Sequence, residues 1–210
     1  DSTGAEVLAS TVDLRQPAQI TAWAAEVEQR FGRVDGLLVN AGGPPPGGFD
    51  QFDDAAWQQA FELTLMSTVR LIRAVRPLLA RQGGAIVAIT SSAVKEPIDA
   101  LLLSNVMRAG VVGLLKSLSR TLAPERIRVN NLIPGSIHTD RIRALNSQMA
   151  QLQGVTAEQI EQAATRQIPL GRYGTPDEFA RAALFLLSDA ASYITGASLQ
   201  VDGGTLRTLW

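Results

Sequence analysis

The chain is expected to fold as an open parallel α/β sheet with helices on both faces. Three observations lead there: helical and strand-like periodicities alternate along the sequence, the strands are apolar throughout, and turn residues close most of them. Ile20, Trp23, Val27 and Phe31 recur at helical spacing after Pro17, and Gly32 is the stop. Residues 34–40 (VDGLLVN) are too short for a buried helix and close on Ala41-Gly42-Gly43, as a buried strand does. A helical stretch from about Asp54 to Leu79 leads into the strand Gly84 to Thr90, and a second from about Leu101 to Leu122 leads into the strand Ile127 to Ile133. Thr175, Pro176 and Glu178 supply an N-cap, a first-turn proline and a capping acid for a helix running to about Leu187, and Ala197 to Val201 is the last short strand. Parallel neighbours need crossover connections, and these helices bury both faces.

In open sheets of this kind ligands bind beyond the carboxyl ends of the strands. The segments to inspect are therefore 40–49, 91–103 and 134–170. The last is long, holds a Thr156/Gln159 capping pair, and is expected to carry a helix and act as a flap over a pocket.

Composition narrows the function. The 210 residues suit one domain, taken as 1–210, and 46% apolar with 19% charged residues is a globular balance. Nineteen basic against twenty acidic residues give a net charge of −1, so no cationic excess points to nucleic acid or an anionic membrane. With no Cys and one His, disulfides, thiolate nucleophiles and Cys/His zinc sites are excluded, and no metal is expected. The longest apolar runs, such as Gly84 to Ile89 and Val111 to Leu115, fall far short of the ~18 residues of a membrane span. Neither a basic-then-apolar leader nor a repeat is visible, and the expected location is the cytoplasm.

Several short motifs follow the strands in order. They are Asn40-Ala41-Gly42, Ser91-Ser92, residues 133–139 (IPGSIHT), Pro169-Leu170-Gly171-Arg172, and Tyr193-Ile194-Thr195-Gly196 running on to Val201-Asp202-Gly203-Gly204. In this order and spacing the sequence resembles the short-chain dehydrogenase/reductase family over essentially its whole length, most of all the 3-oxoacyl-carrier-protein reductases. The resemblance implies a Rossmann-type doubly wound sheet, NAD or NADP as cofactor, and a small carbonyl or alcohol as substrate. It also implies that Asp13, Leu14, Asn40, Ala41, Gly42, Pro134, Gly135, Ile137 and Thr139 face the cofactor.

Two departures matter. The family opens with a strand, a Gly-rich turn and a helix whose N-terminus faces the pyrophosphate. Here the sequence begins just before the third family strand, with Ala5 to Val12 in that place, so the first two strands are expected to be lacking. Residues 40–48 (NAGGPPPGG) are glycine-rich, but three prolines lack N–H donors, and a rigid turn is a better reading than a replacement phosphate cradle.

The second departure is chemical. In the family a Tyr exchanges the proton, a Lys four residues later lowers its pKa and holds the ribose, a Ser polarises the carbonyl, and an Asn supports a water relay. The matching positions are Ser104 for Tyr, Arg108 for Lys, Ser91 for Ser and Thr64 for Asn, so only the serine is retained. An alkyl hydroxyl is far less acidic than a phenol near ~10, and a guanidinium above ~12 is a poor proton shuttle. Arg108 suits the ribose hydroxyls or an oxyanion. The proton then comes from Ser104 through water, or from His138, whose ordinary pKa near ~6.5 fits. Each residue also has a plain structural alternative: Ser91 as a turn residue, Thr64 as a hydroxyl bonding back to its own helix turn, His138 as a solvated loop side chain.

The leading expectation is an NAD(P)-dependent oxidoreductase with an atypical site. The alternative is a catalytically degenerate relative acting as a binding or structural subunit. A serine hydrolase ranks third, because Ser91 has no GxSxG elbow. A homo-oligomer, dimer or tetramer, is expected as well. The Leu101 to Leu122 helix is apolar on more than one face, and Leu206, Leu209 and Trp210 offer a further contact.

Overall fold

The computed structural model describes residues 4–209, apart from the side chain of Arg141. Trp210 and Asp1 lie outside the described residues. Four parallel strands, β1 (Gly36–Val39), β2 (Gly84–Ile89), β3 (Ile127–Pro134) and β4 (Ser198–Val201), pair in the order β1-β2-β3-β4. The register sets Leu37 beside Ile86 and Ile86 beside Val129, so alternate residues of three strands share a face. Helices α1 (Pro17–Phe31), α3 (Ser67–Leu79) and α4 (Leu102–Thr121) cover that face through Ile20, Leu71, Val75, Val111 and Leu115. The other face places Val87 and Leu132 against Ala183 and Leu186 of α7 (Pro176–Leu187). Burial on both faces is why β2 reads as an unbroken apolar run (GAIVAI).

Local chemistry sets the boundaries. Gly32, at φ 68°, ends α1 in the left-handed conformation and bonds its N–H to Glu28 O at 2.8 Å. At α7 the side chain of Thr175 accepts from Glu178 N, and Glu178 Oε2 accepts from Thr175 N at 2.8 Å, closing the capping box. The Arg172 guanidinium bonds both carboxylate oxygens of Glu178, and chiefly for that reason the Glu178 pKa is pushed down to about 2. A carboxylate lowered in this way stabilises the fold above the ordinary value of 4.5, and that stability is lost as pH falls toward about 2. Glu178→Gln is therefore expected to flatten the acid side of the stability profile, measured by thermal unfolding at stepped pH. An unchanged acid limb would show that the box does not contribute to it.

Three expectations need correction. Residues 5–12 form no strand: the described residues place no strand on the outer edge of β1 for them to pair through, and an extended segment becomes a strand only through its ladder. Leu38, which points to the α7 face, is left 44% exposed on this open edge. The stretch 54–79 is not one regular helix. Between α2 (Asp54–Ala60) and α3 it widens into a π-helical segment, Phe61–Met66, and α4 packs there at Gly110, where an added Cβ would stand 3.2 Å from Leu65 Cδ2. The flap holds two helices, α5 (Asp140–Gln153) and α6 (Ala157–Thr165), because Gly154 at φ 66° stops the first and the Thr156/Gln159 box starts the second.

Candidate active site

The strand ends gather the candidate residues. Ser91 directly follows β2 and its neighbour Thr90; its Oγ accepts from Ala93 N at 3.2 Å, starting a short 3₁₀ turn, and among the described residues its hydroxyl proton has no acceptor. Ser104 and Arg108 stand one turn apart on α4, 7% and 9% exposed. Arg108 Nε donates to Ser104 Oγ at 3.2 Å, and Nη1 donates to the carbonyls of Ile89 at 3.2 Å and Thr90 at 3.3 Å. The guanidinium therefore ties the Ser104 hydroxyl to the backbone just before Ser91. Behind it, Thr90 Oγ1 donates to Asn131 Oδ1 at 2.7 Å, and Asn131 Nδ2 donates to Ser198 Oγ at 3.1 Å, a chain of hydrogen bonds across three strands that stiffens this end of the sheet.

Thr64 lies in the π-helical segment, 2% exposed, and its Oγ1 has no hydrogen-bond partner among the described residues. It does not bond back to its own turn. Ser67 and Thr68 do so instead, both onto Thr64 O. A buried hydroxyl without a partner is costly, which makes Thr64 a polar point with capacity for a water or ligand hydrogen bond.

The loop after β3 is braced by the protein itself. Gly135 N bonds Val201 O at 3.0 Å, and an added Cβ there would stand 2.5 Å from Asp202 Cα. Ile137 bridges to Gly174, and Thr139 caps α5 by accepting from Ile142 N. His138 turns toward the flap: its Nε2 is 3.9 Å from Glu161 Oε1 on α6, and its ring lies 6.2 Å from that of Tyr173. Sequence reasoning missed Asn105, the neighbour of Ser104. Its Nδ2 donates to Ile98 O at 2.9 Å and its Oδ1 accepts from Ile98 N at 3.5 Å, pinning the loop between Ser91 and α4. No spacing rule marks an amide that grips a loop seven residues back.

A family model described as enoyl-(acyl carrier protein) reductase matches residues 1–205. The chain belongs to the short-chain dehydrogenase/reductase family. The 3-oxoacyl-[acyl-carrier-protein] reductase of Chlamydia muridarum is 33% identical over 207 residues, which are 97% of this chain and 78% of that protein. L-sorbose reductase of Gluconobacter frateurii, solved with NADPH and L-sorbose, superposes with a TM-score of 0.94 at 32% identity, covering 99% of this chain and 80% of that one. A short chain oxidoreductase of Pseudomonas aeruginosa PAO1 described as containing an atypical catalytic center, NADPH-bound, gives a TM-score of 0.86 at 32% identity over 98% of this chain and 78% of that one.

In this short-chain dehydrogenase/reductase the open edge of β1 borders a cavity. Leu14 and Asn40 line one cavity of about 530 Å³, with Ser10, Val12 and Leu38. Beside it Ala41 is buried, and an added Cβ at Gly42 would meet only Leu63 Cδ2 at 4.0 Å, so that turn is open to close approach. Asp13 is already paired: Arg15 grips both its carboxylate oxygens, and this hydrogen bonding lowers its pKa. The proline-rich turn that follows β1 offers few free backbone donors among the described residues. Pro44 to Pro46 carry no N–H, Gly47 N is given to Ala100 O at 2.8 Å, and Gly48 N to Gln51 Oε1 at 2.6 Å.

Proposed function

We propose that the chain is an NAD(P)-dependent oxidoreductase interconverting a carbonyl and an alcohol on a small molecule, with Ser91, Ser104, Arg108 and Thr64 as its site. The observation that carries this reading is the Arg108 guanidinium joining Ser104 to the backbone of Ile89 and Thr90. A bound dinucleotide would supply the hydride for the carbonyl carbon, and the chain manages the oxygen. Ser91 donates its free hydroxyl proton to that oxygen as a hydrogen bond and polarises the carbonyl. Ser104 accepts from Arg108, so its own proton is directed outward, where it holds a water that passes a proton to the developing alkoxide. Arg108 holds Ser104 in place and also sets its charge beside the developing oxyanion or the ribose hydroxyls. Asn40, Ala41, Gly42, Pro134, Gly135, Ile137 and Thr139 hold the nicotinamide side, and Asp13 and Leu14 the adenine side. His138, held near Glu161, belongs to the flap in this reading.

The test is stopped-flow absorbance at the nicotinamide band with a panel of ketones, including a 3-oxoacyl thioester and a keto sugar. Ketone-dependent loss of the band is expected; binding without turnover across the panel would overturn the enzyme reading. One observation favours a second reading, a binding or structural subunit: the Ser104 position carries an alkyl hydroxyl, a weak acid beside a cation that does not give up its proton.

The protein is also proposed to assemble with itself. Between α3 and α4 a groove of about 750 Å³ is lined by Val69, Ile72, Pro77, Leu114 and Leu118, with Arg73 and Arg76 beside them. A second copy seated there would bury on the order of 2,000 Å². Leu114→Asp is expected to yield monomer or aggregate by light scattering, and a wild-type species of monomer mass at micromolar concentration would contradict the interface. Val112, on the same helix, lines a different cavity beside Lys95 and Ser198. Among the described residues no helix is long and apolar enough to cross a membrane.

A further inference from the structure

At the amino ends of the strands, the opposite end of the sheet from Ser91, lies a cavity of about 820 Å³ that the oxidoreductase site does not use. Arg33, Arg126, Arg128, Asp35, Ser192 and Thr195 are on its walls, with Asp189 beside them. The charges do not cancel. Arg33 bonds Asp35 through two contacts, and Gln82 Nε2 adds a third at 3.1 Å. Arg128 donates to the carbonyls of Leu186, Leu187 and Ser188 at the end of α7, and Asp189 is its nearby countercharge. Arg126 remains. Among the described residues its side chain has no hydrogen bond or ion pair, and it leaves the cavity with one uncompensated cation. Two hydroxyl donors stand on the same walls. Thr195 Oγ1 accepts from Val129 N at 3.0 Å and keeps its own proton, and the Ser192 hydroxyl has no partner among the described residues.

The backbone at Arg126 is a second and independent observation. Its φ of 60° and ψ of 30° are left-handed, and among the described residues it is the only one other than glycine with positive φ. The fold needs that conformation: Arg126 N closes the turn onto Ala123 O at 2.9 Å, and Arg126 O takes Gly84 N at 3.1 Å. It does not need the side chain. Glycine meets the same φ without the steric penalty that a Cβ brings, and is the usual residue at such a helix end. An exposed arginine held at a strained position, with no partner for its side chain among the described residues, is available to a ligand from outside.

We propose that this cavity is a binding site for a small phosphate-bearing anion, an organic phosphate or diphosphate, with Arg126 as its principal ligand. A guanidinium offers a planar fork of donors that matches phosphate oxygens, and the Thr195 and Ser192 hydroxyls supply further donors. The volume falls within the ~300–1,000 Å³ of small-molecule pockets, larger than a bare phosphate fills. The hydrocarbon of Ala123, Ile127 and Leu187 on the remaining walls suits the organic part.

The test uses the whole protein with inorganic pyrophosphate as probe, followed by calorimetry and thermal unfolding at constant ionic strength. Saturable binding is expected with a Kd between ~10 μM and ~1 mM. Arg126→Gly is the informative variant, because it suits the left-handed backbone. It is expected to weaken binding at least ~10-fold, while Tm holds or rises by ~2–4 °C as the strain is relieved. Carbonyl reduction by this variant should match wild type, which separates the anion site from the oxidoreductase reading. No saturable binding by wild type up to ~10 mM would overturn the proposal. Equal binding by wild type and Arg126→Gly would do so too, since the anion would then sit elsewhere.

Discussion

Arg108→Ala is expected to lower kcat/KM for carbonyl reduction by roughly 30- to 1,000-fold, the equivalent of ~2–4 kcal/mol. Three acceptors lose a charged donor at once: the Ser104 hydroxyl and the carbonyls of Ile89 and Thr90. The Ser104→Ala change removes one neutral hydroxyl and is expected to cost only about 1 kcal/mol, or ~5-fold. Arg108→Ala should also destabilise the fold by ~1–3 kcal/mol, because buried carbonyls at the end of β2 are left short of a donor. Denaturant unfolding measures that part separately from the kinetics. Arg108→Lys restores the charge but not the fork, and is expected to recover activity only partly. Equal and complete loss from Ser104→Ala would identify Ser104 as the proton donor and overturn the ranking.

A polypeptide of these 210 residues is expected to bind NAD(P)H only at a Kd of ~1 mM or weaker, a binding free energy near ~4 kcal/mol. Contacts are proposed at the ends of the dinucleotide only, around Leu14 and Asn40 and around the loop from Pro134 to Thr139. The charged middle would find few backbone donors, since Gly47 N and Gly48 N are already committed and the three prolines have none. Calorimetry on material of verified mass decides it. Micromolar affinity would mean that a phosphate cradle forms from residues given another role here.

The helices and strands were legible because each leaves a local mark. Pro176 with the Thr175/Glu178 box announces α7, Gly32 ends α1, and the unbroken apolar run of β2 announces a strand buried on both faces. Residues 5–12 were misread for a reason of the same kind. Their pattern suits a strand, but a ladder needs a neighbour, and the described residues place none beside them. The π-helical turn at Phe61–Met66 was invisible as well: the periodicity of 54–79 continues through it, and the widening shows only where α4 packs in at Gly110.

By itself the sequence determined the order of elements, the family, the segments at the carboxyl ends of the strands and the residue types available there. These follow from spacing and from chemistry that each side chain carries wherever it sits. Only the tertiary structure decided what those side chains touch. It turned Arg108 inward onto Ser104 and the end of β2, set His138 against α6, left Thr64 Oγ1 without a partner among the described residues, and placed Arg126 in a cavity beside two other arginines. Partners separated by many residues in the chain meet through packing of the whole sheet, and no local pattern encodes which acceptor a long cation reaches.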